Sequence, residues 1–544
     1  MTTVHEEKRP ASSAPASAPV AARRRGRPYR LPSDPTPITE VVPGIGHRLA
    51  WLLGASRIYA SDPLLARRAT FIKALQDVGT TADTTRLSRW ESGRVPVPVS
   101  VVRAYETVLG LPPGQLVIGA SGLMRCADRT SPRPETAQED PTQAHLKLDE
   151  LFEKVLAGRA PGHVWLELCD HLTRQEHLYL LPDTWRQISD LLASELGCSS
   201  GLAYFARFEA LRMLVANPTS RRHAVKAIGA AVTHPATVFM IHPLVLLQEV
   251  EDGQAWDLLA RLLQGTPSTL RSGAAWAVAG KVARGDFAGP DLEGLEAIVL
   301  DLLRRSRTLL ERLDALTVAR ALPQESAARL GLESLDQDTR TALELAHRKA
   351  ETRDAHGARA VSSKIAETAQ NTTTIDYLVG PDEMLHRQVR EAIFHVDHGR
   401  RHQAALLLAA SPYRSQLGDP LLGLAARNDE GTAVVATSAL FHIADAGQRA
   451  ALLEIGLNDR RPTLRATSLM SLGQVIGELS ADEGDRLRGV VTQPGPAPLR
   501  QAALHVLGMG SAECLGELAT DGPHAEAARW WLGSRPIVEP LSRG

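Results

Sequence analysis

The chain has 544 residues, a formal net charge of −1, 44% hydrophobic and 23% charged residues, and four cysteines. That length exceeds one small domain and fits roughly three domain-sized units, or one small domain joined to an extended array. Cys126, Cys169, Cys198 and Cys514 lie far apart with no C-x-x-C pair, which argues against a zinc ribbon or a disulfide framework and fits a reducing cytoplasm. The near-zero net charge conceals an asymmetry. Residues 1–129 hold 18 Lys and Arg against 10 Asp and Glu, whereas the remainder holds 43 against 52. A basic end joined to an acidic one suits a nucleic-acid-binding unit attached to an effector unit.

Residues 1–43 contain eight prolines between Pro10 and Pro43, too many for regular elements, and read as a disordered basic tail. They have no apolar secretion core, and the longest apolar run of note, Ala404 to Ala410, is far too short to span a bilayer. Within the tail, Arg25-Gly26-Arg27-Pro28 resembles an AT-hook core. The resemblance implies that Arg25 and Arg27 lie along the floor of an A·T minor groove, that Gly26 lets the backbone enter, and that proline keeps the chain extended. The alternative is a basic tail that adds phosphate affinity through charge alone.

Residues 44–122 read as one compact helical unit. In Asp83-Thr84-Thr85-Arg86-Leu87-Ser88-Arg89-Trp90-Glu91-Ser92-Gly93-Arg94, Asp83 suits a helix N-cap and Gly93 a left-handed C-terminal cap. Leu87 and Trp90, at i and i+3, face a core. Thr84, Thr85, Arg86, Ser88 and Arg89 then point outward, with lengths and donors that reach base edges and phosphates in a major groove. Together with Pro96, Pro98, the stretch Val101 to Leu111 and Gln115-Leu116, this segment resembles the xenobiotic-response-element (Cro/repressor-like) helix-turn-helix family over roughly residues 45–117. That resemblance implies five helices, base contacts by Thr84, Thr85 and Arg89, contacts to bases or phosphate by Arg86 and Ser88, and double-stranded DNA as a partner. Arg94 follows the glycine and joins the DNA-contacting set. A homodimer is implied as well, since one such head covers only a half-site. The sequence departs from the family at the turn, where Ala74 and Gly79 stand five residues apart rather than four and Gly79-Thr80-Thr81-Ala82 precedes the cap.

Residues 123–144, with Ser131-Pro132-Arg133-Pro134 and Glu139-Asp140-Pro141, read as a linker. From 145 to 544 the texture is that of amphipathic helices broken by Gly and Pro, with little strand-like alternation. Thr463-Leu464-Arg465-Ala466 to Gly473 and Pro498-Leu499-Arg500-Gln501 to Gly508 repeat one pattern 35 residues apart, and Thr269 to Ala279 echoes it. The pattern resembles the second helix of a HEAT-like pair, and Val389 to Leu406 a tetratricopeptide-like pair, which implies an α-solenoid effector region. The expected fold class is therefore all-α, a five-helix head followed by a helical-repeat array.

Chemistry has little support. Glu391, His395, His398 and His402 would share a face on one continuous helix, but Gly399 is expected to end it, so no metal is assigned. No nucleophile elbow, zinc-protease motif or dinucleotide fingerprint is present, Gly273 to Lys281 lacks phosphate-loop spacing, and no cofactor is called for. Trp530-Trp531 suits a cap that seals the last repeat. The expected function is a sequence-specific DNA-binding transcriptional regulator whose repeats sense a ligand, peptide or protein in the cytoplasm. The alternative is a cytoplasmic helical-repeat scaffold for protein–protein interaction.

Overall fold

A computed structural model describes residues 30–38, 44–127, 141–174, 180–234, 241–250, 253–265, 269–306, 309–329, 337, 355–372, 380–395, 397–427, 430–475, 477–510 and 513–541. The protein is mostly helical, and among the described residues the only strands are β1, Ser199–Gly201, and β2, Ile537–Glu539. No helix among them is long and apolar enough to cross a membrane. The arginine motif at Arg25, Gly26 and Arg27 lies outside the described residues.

Five helices occupy the first unit: α1 Ile45–Ile58, α2 Arg68–Asp77, α3 Thr84–Trp90, α4 Val99–Leu109 and α5 Gln115–Ala127. Trp51, Leu52, Phe71, Leu75, Leu87, Val102, Tyr105 and Leu116 are completely buried. Glu106, near the end of α4, accepts hydrogen bonds from the Gly114, Leu116 and Val117 amides at 2.9, 2.6 and 2.9 Å. It thereby satisfies donors that the first turn of α5 would otherwise leave orphaned.

Downstream, helices pair and stack. Glu383–Phe394 packs on His398–Ala410, Arg414–Ala425 on Glu430–Ile443, Arg449–Asn458 on Pro462–Leu472, and Ala481–Thr492 on Ala497–Met509. The second helices of the last three pairs also pack on one another in sequence. Contacts recur at one spacing: Ser471 Oγ donates to Thr437 O at 2.8 Å, Arg461 Nη1 to Arg427 O at 2.7 Å, and Arg449 Nη1 to Glu483 Oε1 at 2.8 Å, each across 34 residues. Gly508 sits where a Cβ would stand 2.0 Å from the Trp531 ring, so the terminal tryptophan lies flat against the last pair, 3% exposed.

The C-terminus returns to the middle of the chain, where β2 pairs in parallel with β1 and Ser199, Ser200 and Gly201 oppose Ile537, Val538 and Glu539. Gly201 has φ +59° and a Cβ there would meet Glu539 O at 2.5 Å, a place only glycine fills. Arg159 Nη1 donates to Arg535 O at 2.9 Å and Glu539 Oε1 accepts from Gly162 N at 2.9 Å, fastening the same junction.

Two apolar cores result. One runs from Leu49 to Leu123 in the head and continues through Ile365 to Ile537; the other is built chiefly from residues 148–322. The first five helices thus share a core with the C-terminal helix pairs. Gly119 of α5 lies so close to Ala410 that a Cβ would be 2.8 Å from that methyl.

Candidate nucleic-acid interface

The local structure of α3 follows from its two caps. Asp83 Oδ1 accepts from Thr85 N at 2.7 Å and Arg86 N at 2.8 Å, and those amides hold its carboxyl below the usual carboxylate range. At the other end Gly93 has φ +69°, with Arg94 N donating to Arg89 O at 3.1 Å and Gly93 N to Trp90 O at 3.2 Å. This is a Schellman ending with glycine at the left-handed position. A Cβ on Gly93 would also lie 2.7 Å from Gly46 O at the start of α1. The turn before α3 is built the same way: Gly79, φ +83°, closes α2 with Thr80 N donating to Leu75 O at 2.9 Å.

Leu87 and Trp90 face inward, 0% and 8% exposed, while Thr84, Thr85, Arg86 and Arg89 are exposed and Ser88 is half-buried. Arg94 is exposed beyond the glycine, and Arg67 and Lys73 of the neighbouring segment are exposed too. Arg86 differs from the others in being turned back toward the helix start: its Nη1 donates to Thr81 O at 3.0 Å and its Nε lies 3.9 Å from Asp83 Oδ2. It braces the turn in this conformation.

Charges that sequence reading left unassigned hold the interface in place. Arg57 and Glu91 form a buried bidentate pair, Nε to Oε1 at 2.6 Å and Nη2 to Oε2 at 2.8 Å, and Tyr105 Oη donates to Glu91 Oε1 at 3.3 Å. Glu91 thus ties the end of α3 to α1. Arg48, fully buried one face away, sits between Asp34 and Glu391: Nε to Asp34 Oδ2 at 2.7 Å, Nη1 to Glu391 Oε2 at 2.8 Å and Nη2 to Glu391 Oε1 at 2.7 Å. Arg387 and Arg400 also reach Glu391, at 2.8 and 3.1 Å. Nearby, Asp382 accepts from Trp51 Nε1 at 2.9 Å and from Tyr413 Oη at 2.9 Å, while Tyr413 Oη lies 2.9 Å from Tyr59 Oη. The available signal was Arg48 and Arg57 flanking the apolar run Leu49 to Ala55 of α1.

The histidine cluster is arranged otherwise than a single helix would place it. The helix ends at Phe394, and Asp397 caps the next one by accepting from Arg400 N at 2.8 Å, so Gly399 lies inside a helix start rather than at an end. Glu391 serves the arginines, His395 Nε2 lies 3.1 Å from Ile38 O, and His398 stacks on Trp276 with ring centroids 3.6 Å apart. Of the four, only His402 joins other histidines, His242 and His442.

No family model matches the chain, and no curated protein does. Among solved structures, an engineered protein is similar over 73% of this chain and 96% of its own, at 14% identity and a TM-score of 0.19. A chain from a structure of Kap95p bound to RanGDP is similar over 89% of this chain and 66% of its own, at 13% identity and a TM-score of 0.22. At such scores neither likeness bears on fold or function.

Proposed function

We propose that the chain is a sequence-specific DNA-binding regulator in which α3 enters the major groove and the helices from residue 145 onward receive a ligand, peptide or protein signal. One observation carries this reading: a helix capped at both ends buries Leu87 and Trp90 and leaves Thr84, Thr85 and Arg89 exposed together. Arginine at a helix surface suits bidentate contact with guanine, and threonines suit phosphate oxygens or the thymine methyl. Arg94 and the upstream Arg25-Gly26-Arg27 segment add phosphate charge, Ser88 and Arg86 flank the contact, and a homodimer places two heads on two half-sites.

Titrating the full chain against genomic DNA fragments at two salt concentrations tests the reading. The wild type retains a preferred subset of fragments at the higher salt, and Arg89→Ala loses that preference while keeping salt-sensitive general binding. If the wild type shows no preference, or the variant keeps it, the reading fails and a protein-binding scaffold takes its place.

A further inference from the structure

Three histidines from three helices meet at the seam between the two cores. His242 comes from Ile241–Leu246, His402 from His398–Ala410 and His442 from Glu430–Ile443, and their candidate ligand nitrogens all lie within 4.8 Å of one another. His442 Nε2 is 2.9 Å from His402 Nδ1, and the Tyr204 hydroxyl is 3.1 Å from His242 Nδ1. Around them stand aromatic rings: Phe205 stacks on His442 at 5.4 Å, Phe441 meets His242 at 5.1 Å, and Phe208 meets His402 at 6.0 Å.

Packing alone explains one or two histidines in such a place, but three converging nitrogens form a ligand set. We infer that His242, His402 and His442 bind one first-row transition-metal ion, with Zn(II) the best match to three neutral imidazoles. Metal–nitrogen bonds of about 2.0–2.1 Å in a tetrahedral site put the nitrogens about 3.4 Å apart, within reach of small rotations of rings already this close. Neutral imidazole is the form that coordinates. Tyr204 supplies an outer hydrogen bond to Nδ1 of His242. His242 and His402 are only half-buried, which leaves the ion a way in. Imidazoles without thiolates or carboxylates suit zinc, copper or nickel better than magnesium or calcium. Three protein ligands also leave a position for water or a small exogenous ligand.

The ion would clip two halves of the molecule. Tyr204 and Phe441 belong to the second core, whereas Leu440 and Ile443, beside His442, belong to the first.

The full chain, stripped with chelator and dialysed, is titrated with ZnCl₂ by calorimetry, and the metal retained after desalting is measured. A Co(II) titration followed in the visible range reports coordination number. Wild-type protein binds one Zn(II) per chain and its thermal midpoint rises on binding; Co(II) develops the intense absorption of a four-coordinate ion. His402→Gln and His442→Phe each weaken binding at least about tenfold, while the exposed control His145→Ala changes nothing. Circular dichroism checks that the variants fold, and if His442→Phe does not, the half-buried His402→Gln decides. Retention of less than half an equivalent by the wild type, or unaltered affinity in a folded ligand variant, overturns the assignment.

Discussion

Arg48 is an arginine with no exposed side-chain surface on a helix rich in Leu, Ala and Trp, and it is tolerated because two carboxylates meet its guanidinium. Removing one partner of such a pair leaves a buried charge uncompensated, so Glu391→Ala should cost about 3–5 kcal/mol in urea denaturation, far more than an exposed substitution. The pH dependence follows from the same contacts. Burial by itself would raise Asp34 and Glu391, but hydrogen bonds and charge from Arg48, helped by Thr36 at Asp34 and by Arg387 and Arg400 at Glu391, outweigh it and bring both to about 2. Both values lie below those of the unfolded chain, so this stabilisation is complete above the ordinary carboxylate range and drains away as pH falls toward 2. Urea midpoints measured from neutral to acidic pH should drop for the wild type and drop less for Glu391→Ala. At α3, a bidentate arginine–guanine contact is worth about 1–3 kcal/mol of discrimination. Arg89→Ala should therefore lose roughly 5- to 150-fold in preference between fragments, read by anisotropy, with urea stability unchanged because the side chain is exposed.

α3 has only seven residues, too short to be stable alone, and its two caps and its two buried side chains hold it. Gly93 combines a positive φ with close backbone contact to Gly46, so Gly93→Ala should strain the cap and push α3 from α1 at a cost above about 1 kcal/mol. Loss of fragment preference alongside a lowered thermal midpoint is the expected pair of readings; an unchanged midpoint would count against the tight α1–α3 junction. In the C-terminal helix pairs, glycine does a different job. Gly456 and Gly508 let Leu469 and Trp531 sit against helix backbone, and Trp531→Ala should open a cavity at the end of the stack costing about 3–5 kcal/mol, seen as early loss of the C-terminal helices in hydrogen exchange.

The whole molecule is closed on itself in two places. The head lies in one core with residues 365–537, bound through Arg48, Trp51 and Gly119, and the C-terminal strand returns to residues 199–201. Residues 44–127 produced alone would expose α5 where it meets the helix His398–Ala410 and leave Arg48 without Glu391. Such a fragment should self-associate or bind an apolar dye, and a monodisperse fragment with full thermal stability would show that the shared core is dispensable. Truncation after Ser534 removes β2 with its contact to Gly162, and the Arg535 carbonyl that Arg159 meets, and should lower the thermal midpoint of the intact chain.

Much of this was legible in the chain itself. Helical periodicity, the repeat 35 residues apart, the Asp83 and Gly93 signals around α3 and the inward placement of Leu87 and Trp90 are local properties, set by backbone sterics and by the spacing of apolar side chains along a single helix. Residues 30–38, by contrast, looked like part of a proline-rich tail, yet Asp34 is held in the core because a buried arginine 14 residues on takes its charge. Glu391 and His402 would share a face on one continuous helix, but they belong to different assemblies, since the helix breaks before Asp397. Pairings such as Arg48 with Glu391, 343 residues apart, or His402 with His442, depend on which helix faces meet. Periodicity says that a face is apolar, and only tertiary packing decides which distant charge or imidazole must be buried against it.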